Sequence, residues 1–151
     1  INQLIQQVLQ VCEHSASEKG IKLEMNADEI LDAAVNPPLL EQALINLVEN
    51  AIKYSDAKSL VTLSLEKQAD KFIIGVKDHG FGIGSKHHER IFERFYRIDV
   101  ARSRKLGGTG LGLSIVKHII QAHQGTISLT STPGEGSTFL IQIPFVEMNP
   151  T

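Results

Sequence analysis

The chain has 151 residues, 42% of them hydrophobic and 21% charged, and a formal net charge of −2. That length buries one core, and the balance is that of an ordinary globular domain without a global basic field for nucleic acid or acidic lipid. A single cysteine, Cys12, excludes an internal disulfide framework and a cysteine metal cluster, and neither an apolar run of ~20 residues nor a signal-peptide pattern is present.

Residues 1–16 carry Leu4, Ile5, Val8, Leu9 and Cys12 at spacings of three and four, which predicts a helix. Gly20 turns the chain into a strand over 21–27. Asn36-Pro37-Pro38 opens a second helix, with Asn36 as N-cap and proline in the first turn. It runs to about Tyr54, with Leu40, Ala43, Leu44, Leu47, Val48 and Ala51 on its apolar face. Alternation over 61–67 and 71–78 predicts two strands joined at Ala69-Asp70 as a hairpin. From 79 to 109 periodicity stops, apart from a short amphipathic turn around Glu89–Tyr96, and so long a loop in a compact domain points to function. A third helix follows over 110–123. ISLTST and STFLIQI then form a closing pair of strands around Pro133-Gly134. Together these elements predict one α+β domain over 1–151, a two-layer sandwich of about five mostly antiparallel strands on three helices. The chain begins at Ile1 without a methionine, as a piece of a longer protein would.

Three segments carry candidate chemistry. At 107–113, Gly108, Gly110 and Gly112 alternate with Thr109 and Leu111 and lead into the helical stripe of Leu113, Ile115, Val116, Ile119 and Ile120. A glycine turn feeding a helix start offers bare N–H groups and the positive end of the helix dipole to an anion such as phosphate, although glycines also serve plain turns. On the second helix, Asn46, Asn50 and Lys53 stand at i, i+4 and i+7, on one stripe away from the leucines. An amide oxygen suits Mg²⁺ that keeps its substrate phosphates, and Lys53 suits a phosphate; a solvated polar face has the same pattern. In DHGFGIG, Asp78 is an acceptor-only group that complements an exocyclic amine such as adenine N6. Gly80 and Gly82 let the backbone pass close to a flat ring, whereas an Asp bonding its own backbone would make an ordinary turn. ERIFERFYR at 89–97 places Ile91, Phe92, Phe95 and Tyr96 around a turn that anchors the loop. Beyond it Arg97, Arg102, Arg104 and Lys105 face the single Asp99, a basic loop that reads as a lid over phosphates.

In this order and at these spacings, residues 36–145 resemble the catalytic and ATP-binding domain of sensor histidine kinases, within the group that includes DNA gyrase, Hsp90 and MutL. NLVENAIKY looks like that family's N box, DHGFGI its G1 box, IFERFYR its F box and GGTGLGL its G2 box. The resemblance implies a Bergerat-type sandwich with a flexible ATP lid at about 97–108, and ATP and Mg²⁺ as ligands. It implies that Asn50 coordinates Mg²⁺, that Asn46 assists the metal or a phosphate, and that Lys53 and Tyr54 touch ribose or phosphate. Asp78 would hold adenine beside Gly80, Gly82 and Ile83. Arg97 would approach the γ-phosphate as the catalytic partner of Asn46, with Lys105 and the backbone of Gly108, Thr109, Gly110, Leu111 and Gly112 around the triphosphate. Thr138, in GEGSTF, would reach adenine directly or through water. Asn36 stands where the family usually has aspartate, and caps the helix equally well.

In the gyrase, Hsp90 and MutL branches the residue four before the Mg²⁺ asparagine is a glutamate, placed to take a proton from a nucleophile. Here it is Asn46, and an amide is no base; Glu49 points about 100° round the helix from Asn50. The expectation is a domain that binds Mg·ATP weakly and hydrolyses it poorly. It would donate the γ-phosphoryl to a histidine on a separate dimerisation domain, for relay to a response-regulator aspartate. The family's H-[DE]-x-x-x-[PT] acceptor setting is absent from this chain. His88-Glu89-Arg90 lacks the proline, and His14, His79, His87, His118 and His123 read as surface or loop residues. The resemblance further implies a monomeric fragment, a cytoplasmic place in a membrane-anchored sensor, and no nucleic-acid partner. Three rivals are a stand-alone ATPase or serine kinase, opposed by Asn46; a vestigial nucleotide module, opposed by intact Asn50, Asp78 and glycines; and a nucleic-acid binder, supported only by the lid's charges.

Overall fold

A computed structural model describes residues 1–96 and 112–145. In chain order the elements are α1 (Asn2–Glu18), β1 (Lys22–Ala27), α2 (Pro37–Tyr54), β2 (Leu60–Lys67), β3 (Lys71–Lys77), α3 (Gly112–Ala122), β4 (Thr126–Thr132) and β5 (Gly136–Pro144). Two short 3₁₀ turns, Ser85–His87 and Arg90–Phe92, lie between β3 and α3. The second is the short turn expected around Glu89–Tyr96, and the first precedes it. Only Phe92 of that segment is buried, so its apolar residues cannot nucleate a longer helix against the core.

The sheet order is β1-β2-β3-β5-β4, with β1 parallel to β2 and every other pair antiparallel. The parallel pair follows from α2, which supplies the crossover that parallel neighbours need. One row of paired residues runs Met25, Leu63, Val76, Phe139, Leu129 across all five strands, and the next runs Ala27, Leu65, Ile74, Ile141, Ile127. These rows are the apolar face, and the helices cover it. The row on the other side of Met25, namely Glu24, Thr62, Lys77, Thr138, Thr130, belongs to the opposite, polar face. The five-stranded α+β sandwich on three helices is the architecture the sequence predicts.

α2 lies between α1 and α3 and packs on both. It buries Leu40, Ala43, Leu44, Leu47, Val48, Ala51 and Ile52, the predicted stripe plus one further residue. Ile5, Val8, Cys12 and Ala16 of α1 and Val116, Ile119 and Ile120 of α3 complete the core. The N-cap of α2 is the expected one, since Asn36 Oδ1 accepts the Leu39 N–H at 3.2 Å. Asn36 also donates its own N–H to His123 Nε2 at 3.0 Å, while His123 Nδ1 donates to Ile119 O at 2.8 Å. That pairing places the imidazole proton on Nδ1 and ties the end of α3 to the start of α2.

Candidate functional site

The end of α2, the exit of β3 and the β4–β5 turn meet at one end of the sheet. Asn46, Asn50, Lys53 and Tyr54 are all half-buried on α2, on its edge away from the core stripe. The last turn of that helix is held from two sides. Lys19, at the end of α1, donates through Nζ to Ile52 O and Lys53 O at 2.9 Å each. From the other side, Phe81 N–H donates to Tyr54 O at 3.4 Å. Burial pulls the Lys19 ammonium below the ordinary lysine value, against the opposing pull of Asp56. Glu49 neighbours Asn50 in sequence, yet its carboxylate faces α1, where Ser15 Oγ donates to Oε1 at 3.4 Å. The Cys12 thiol lies beside the same carboxylate. Burial, and after it the Glu49 charge and hydrogen bond, push that thiol up to about 12.

Asp78 forms the centre of the opposite wall and is 6% exposed. Its Oδ1 accepts N–H bonds from Gly80 at 3.0 Å and Ser137 at 3.2 Å, and its own N–H donates to Ser137 O at 2.9 Å. Burial raises its carboxyl above the usual range, and the two N–H donors and the His79 charge pull it back part of the way. The Gly80 N–H bond is the local Asx turn that the sequence allows, but Ser137 is 59 residues away and makes the bond tertiary as well. Gly80 pairs with Ser55 just past the end of α2, and a Cβ on Gly80 would overlap the Tyr54 carbonyl. At Gly82 the backbone turns left-handed, with φ +73°, and a Cβ there would overlap the Thr132 carbonyl. Ile83 then packs against the core, and its N–H donates at 2.7 Å to Ser131 Oγ, which donates in turn to Gly136 O at 2.8 Å. These contacts bring β3, β4, β5 and α2 together around one carboxylate.

The structure does not bring Thr138 to this cluster. Thr138 pairs with Lys77 on the polar face, and Ser137, buried and bonded to Asp78, is the residue that β5 supplies. Adjacent strand residues point to opposite faces, and Ser137 is the one in phase with buried Phe139, Ile141 and Ile143. Ser137 Oγ also lies 2.9 Å from Ser131 Oγ. Among the described residues, the Ser55 hydroxyl is the buried side-chain group that has no hydrogen-bond partner. Arg97, Lys105, Gly108, Thr109, Gly110 and Leu111 lie outside the described residues. Gly112 opens α3, where an added Cβ would meet nothing within 4 Å.

The segment leading toward Arg97 is anchored as expected. Phe92 packs edge-on against Phe139 at 6.1 Å between ring centroids, Lys117 Nζ stands 5.9 Å from the Phe92 ring, and Ile91 is half-buried on the core. Tyr96 is bracketed by Arg90, 4.7 Å from its ring centroid, and by His87 Nδ1 on its hydroxyl. His88 Nε2 lies 2.7 Å from Ile83 O, so His87 and His88 tie this segment down and are not bystanders on a loop. Phe95 alone of the predicted aromatics is well exposed.

The donor set fits a metal that arrives with its ligand. No group of three His, Cys, Asp or Glu among the described residues converges to hold an ion, whereas the side-chain oxygens of Asn46 and Asn50 suit the one or two protein contacts that Mg²⁺ takes beside phosphates. The opposite wall presents Asp78, whose second oxygen makes no hydrogen bond among the described residues and can accept from a base edge.

Residues 35–147 match the family of histidine kinase-, DNA gyrase B- and HSP90-like ATPases. The sensor-like histidine kinase SenX3 of Mycobacterium tuberculosis is 46% identical over 130 residues, covering 86% of this chain and 32% of its own length. The chain thus spans a fifth to a third of the length of the curated relatives it matches. Among solved structures, the catalytic domain of histidine kinase ThkA superposes with a TM-score of 0.83 at 29% identity, over 95% of this chain and 93% of that one. ThkA in complex with the response regulator protein TrrA gives 0.81 at 28% identity, over 97% and 40%. Full-length ShkA in complex with AMPPNP gives 0.85 at 29% identity, over 95% and 30%. The chain belongs to the histidine kinase-, DNA gyrase B- and HSP90-like ATPase family, as a catalytic domain of the sensor histidine kinase kind.

Proposed function

We propose that this chain is one domain over 1–151 that binds Mg·ATP between the α2 stripe and the Asp78 wall and presents the γ-phosphoryl to a histidine. Asp78 carries the reading: a buried carboxylate with one oxygen fixed by two N–H groups and the other left to accept from adenine N6. Ser137 and Gly80 hold that carboxylate, Gly82 and Ile83 carry the backbone past the base, and Thr138 stays on the far face. Asn50, with Asn46 one turn before it, supplies amide oxygens to the metal; Lys53 supplies charge to a phosphate and Tyr54 packs on the ribose. Mg²⁺, when bound, neutralises phosphate charge. Arg97 and Lys105 belong to a lid over about 97–108, with Arg97 at the γ-phosphate, and the 108–112 backbone holds the triphosphate.

The step is phosphoryl transfer, in which the bond from the γ-phosphorus to the β–γ bridging oxygen breaks, a phosphorus–nitrogen bond to the acceptor imidazole forms, and ADP leaves. Positioning and charge neutralisation carry such a reaction. Asn46 cannot take a proton, and Glu49 is engaged with α1, so water is a poor nucleophile here. The acceptor histidine belongs to a dimerisation domain of the same protein, and the phosphoryl then passes to a response-regulator aspartate, in keeping with the ThkA–TrrA complex of a related kinase. No helix among the described residues is long and apolar enough to cross a membrane. We assign the domain to the cytoplasmic side of a membrane-anchored sensor, monomeric on its own and without a nucleic-acid partner. Calorimetric titration with a non-hydrolysable ATP analogue tests the reading. Saturable binding that tightens with Mg²⁺ supports it; no heat and no competition at millimolar nucleotide rejects it.

A further inference from the structure

We infer that Lys19 is a positioning residue for the nucleotide, acting through the last turn of α2. The inference rests on the α2 stripe being the phosphate and ribose wall. The last carbonyls of a helix have no intrahelical partner and carry the negative end of its dipole. In α2 those carbonyls belong to the very turn that bears Lys53 and Tyr54. Lys19 Nζ satisfies two of them, Ile52 O and Lys53 O, at 2.9 Å each, from 33 and 34 residues away.

Lys19 is itself fixed. It caps α1 in a helical conformation, and its carbonyl accepts the Lys58 N–H at 3.2 Å, which pins the chain just after α2 to the same point. Phe81 N–H holds the next carbonyl, Tyr54 O, from the Asp78 side. Without the ammonium the final turn frays, because the segment after Tyr54 turns at once into extended backbone at Ser55. Lys53 and Tyr54 then have to be ordered when nucleotide binds, and that ordering weakens the complex. A lysine suits the task, since three rotatable donors on one nitrogen reach two carbonyls without a fixed fork geometry.

The test is a double-mutant cycle on affinity for an ATP analogue with Mg²⁺, using Lys19→Met, Lys53→Met and the pair, with thermal melting in parallel. The expected result is a five- to ten-fold loss for K19M alone, shrinking below two-fold when Lys53 is already methionine (a coupling of about 1 kcal/mol, at 1.4 kcal/mol per decade). Equal losses in both backgrounds would reduce Lys19 to a general structural residue and overturn the inference, as would wild-type affinity in a folded K19M. If the methionine variant does not fold, Lys19→Gln, which donates without charge from a shorter arm, gives the same comparison. Wild-type protein that binds no nucleotide would sink the site itself, an outcome separate from failure of K19M against a binding wild type.

Discussion

Asp78 is asked to do two things, and two substitutions separate them. In Asp78→Asn the remaining oxygen still accepts the Gly80 and Ser137 N–H bonds at 3.0 and 3.2 Å, so the wall stays closed. The other oxygen becomes an NH₂ that confronts the adenine amine donor to donor. Losing a hydrogen bond to a charged acceptor costs about 1.5–3 kcal/mol, or roughly 10- to 150-fold in affinity. Asn also removes a charge that burial disfavours, so the melting temperature should stay within about 2 °C of wild type or rise. Asp78→Ala orphans two buried N–H groups at about 1–3 kcal/mol each. A net cost of about 2–4 kcal/mol lowers the melting temperature by about 5–15 °C at this chain length. Calorimetry and thermal melting on both variants check this. A D78N protein that binds ATP within three-fold of wild type, or that melts as low as D78A, would refute the reasoning. The pH signs also oppose each other. Burial raises the folded-state value of Asp78 above its unfolded one. Its contribution to stability is therefore fully present below the unfolded value and lost as pH rises through the folded one. In the proposed site adenine binding needs the carboxylate, so affinity should fall as pH drops through that same raised value, and D78N should abolish this component.

Gly80→Ala forces a Cβ onto the Tyr54 carbonyl and to 3.2 Å from Asp78 Oδ1. Overpacking against backbone costs about 1–3 kcal/mol, and nucleotide affinity should fall several-fold more than the same stability loss in the core would cause. The Cys12 thiol, buried and pushed up to about 12, should resist alkylation at pH 8 in native protein and react stoichiometrically in denaturant, as mass spectrometry would read. Native labelling within ten-fold of the unfolded rate would contradict that burial. His123→Ala removes the acceptor of the Asn36 N–H and should cost about 1 kcal/mol by chemical denaturation, with nucleotide affinity unchanged.

Where the sequence was legible, the pattern itself was a burial pattern. The α2 stripe from Leu40 to Ala51 and the alternation of Phe72, Ile74 and Val76 were readable because each apolar residue there meets the core. Asp78 and Gly80 were legible for a different reason, since the carboxylate's first partner is local. The sequence reading names Thr138 where the structure supplies its neighbour Ser137, and a one-residue step in a strand reverses the face. The alternation through Phe139, Ile141 and Ile143 carried the answer, because Ser137 shares their phase. The His123 to Asn36 bond, the Lys19 clamp and the His87–Tyr96 contact join residues 87, 33 or 34, and 9 positions apart, and no local periodicity encodes such pairs.

The direction of Glu49 bears on what kind of enzyme this domain belongs to. On α2 it is the carboxylate next to Asn50 in sequence, and a swing toward the metal would give water a base. Instead its oxygen accepts from Ser15, and the Cys12 thiol lies against it, so the acid is spent on holding α1 to α2. In the proposed site the ligand-side stripe carries the amides of Asn46 and Asn50 beside Lys53, and an amide can orient oxygen and metal but cannot accept a proton at neutral pH. A site that neutralises and aims a triphosphate without activating water suits an acceptor that brings its own lone pair, and an imidazole nitrogen is such an acceptor. On the proposed reading the same helix divides its faces, with one acid holding α1 and two amides facing the ligand. ATP held there should persist until the acceptor histidine reaches it.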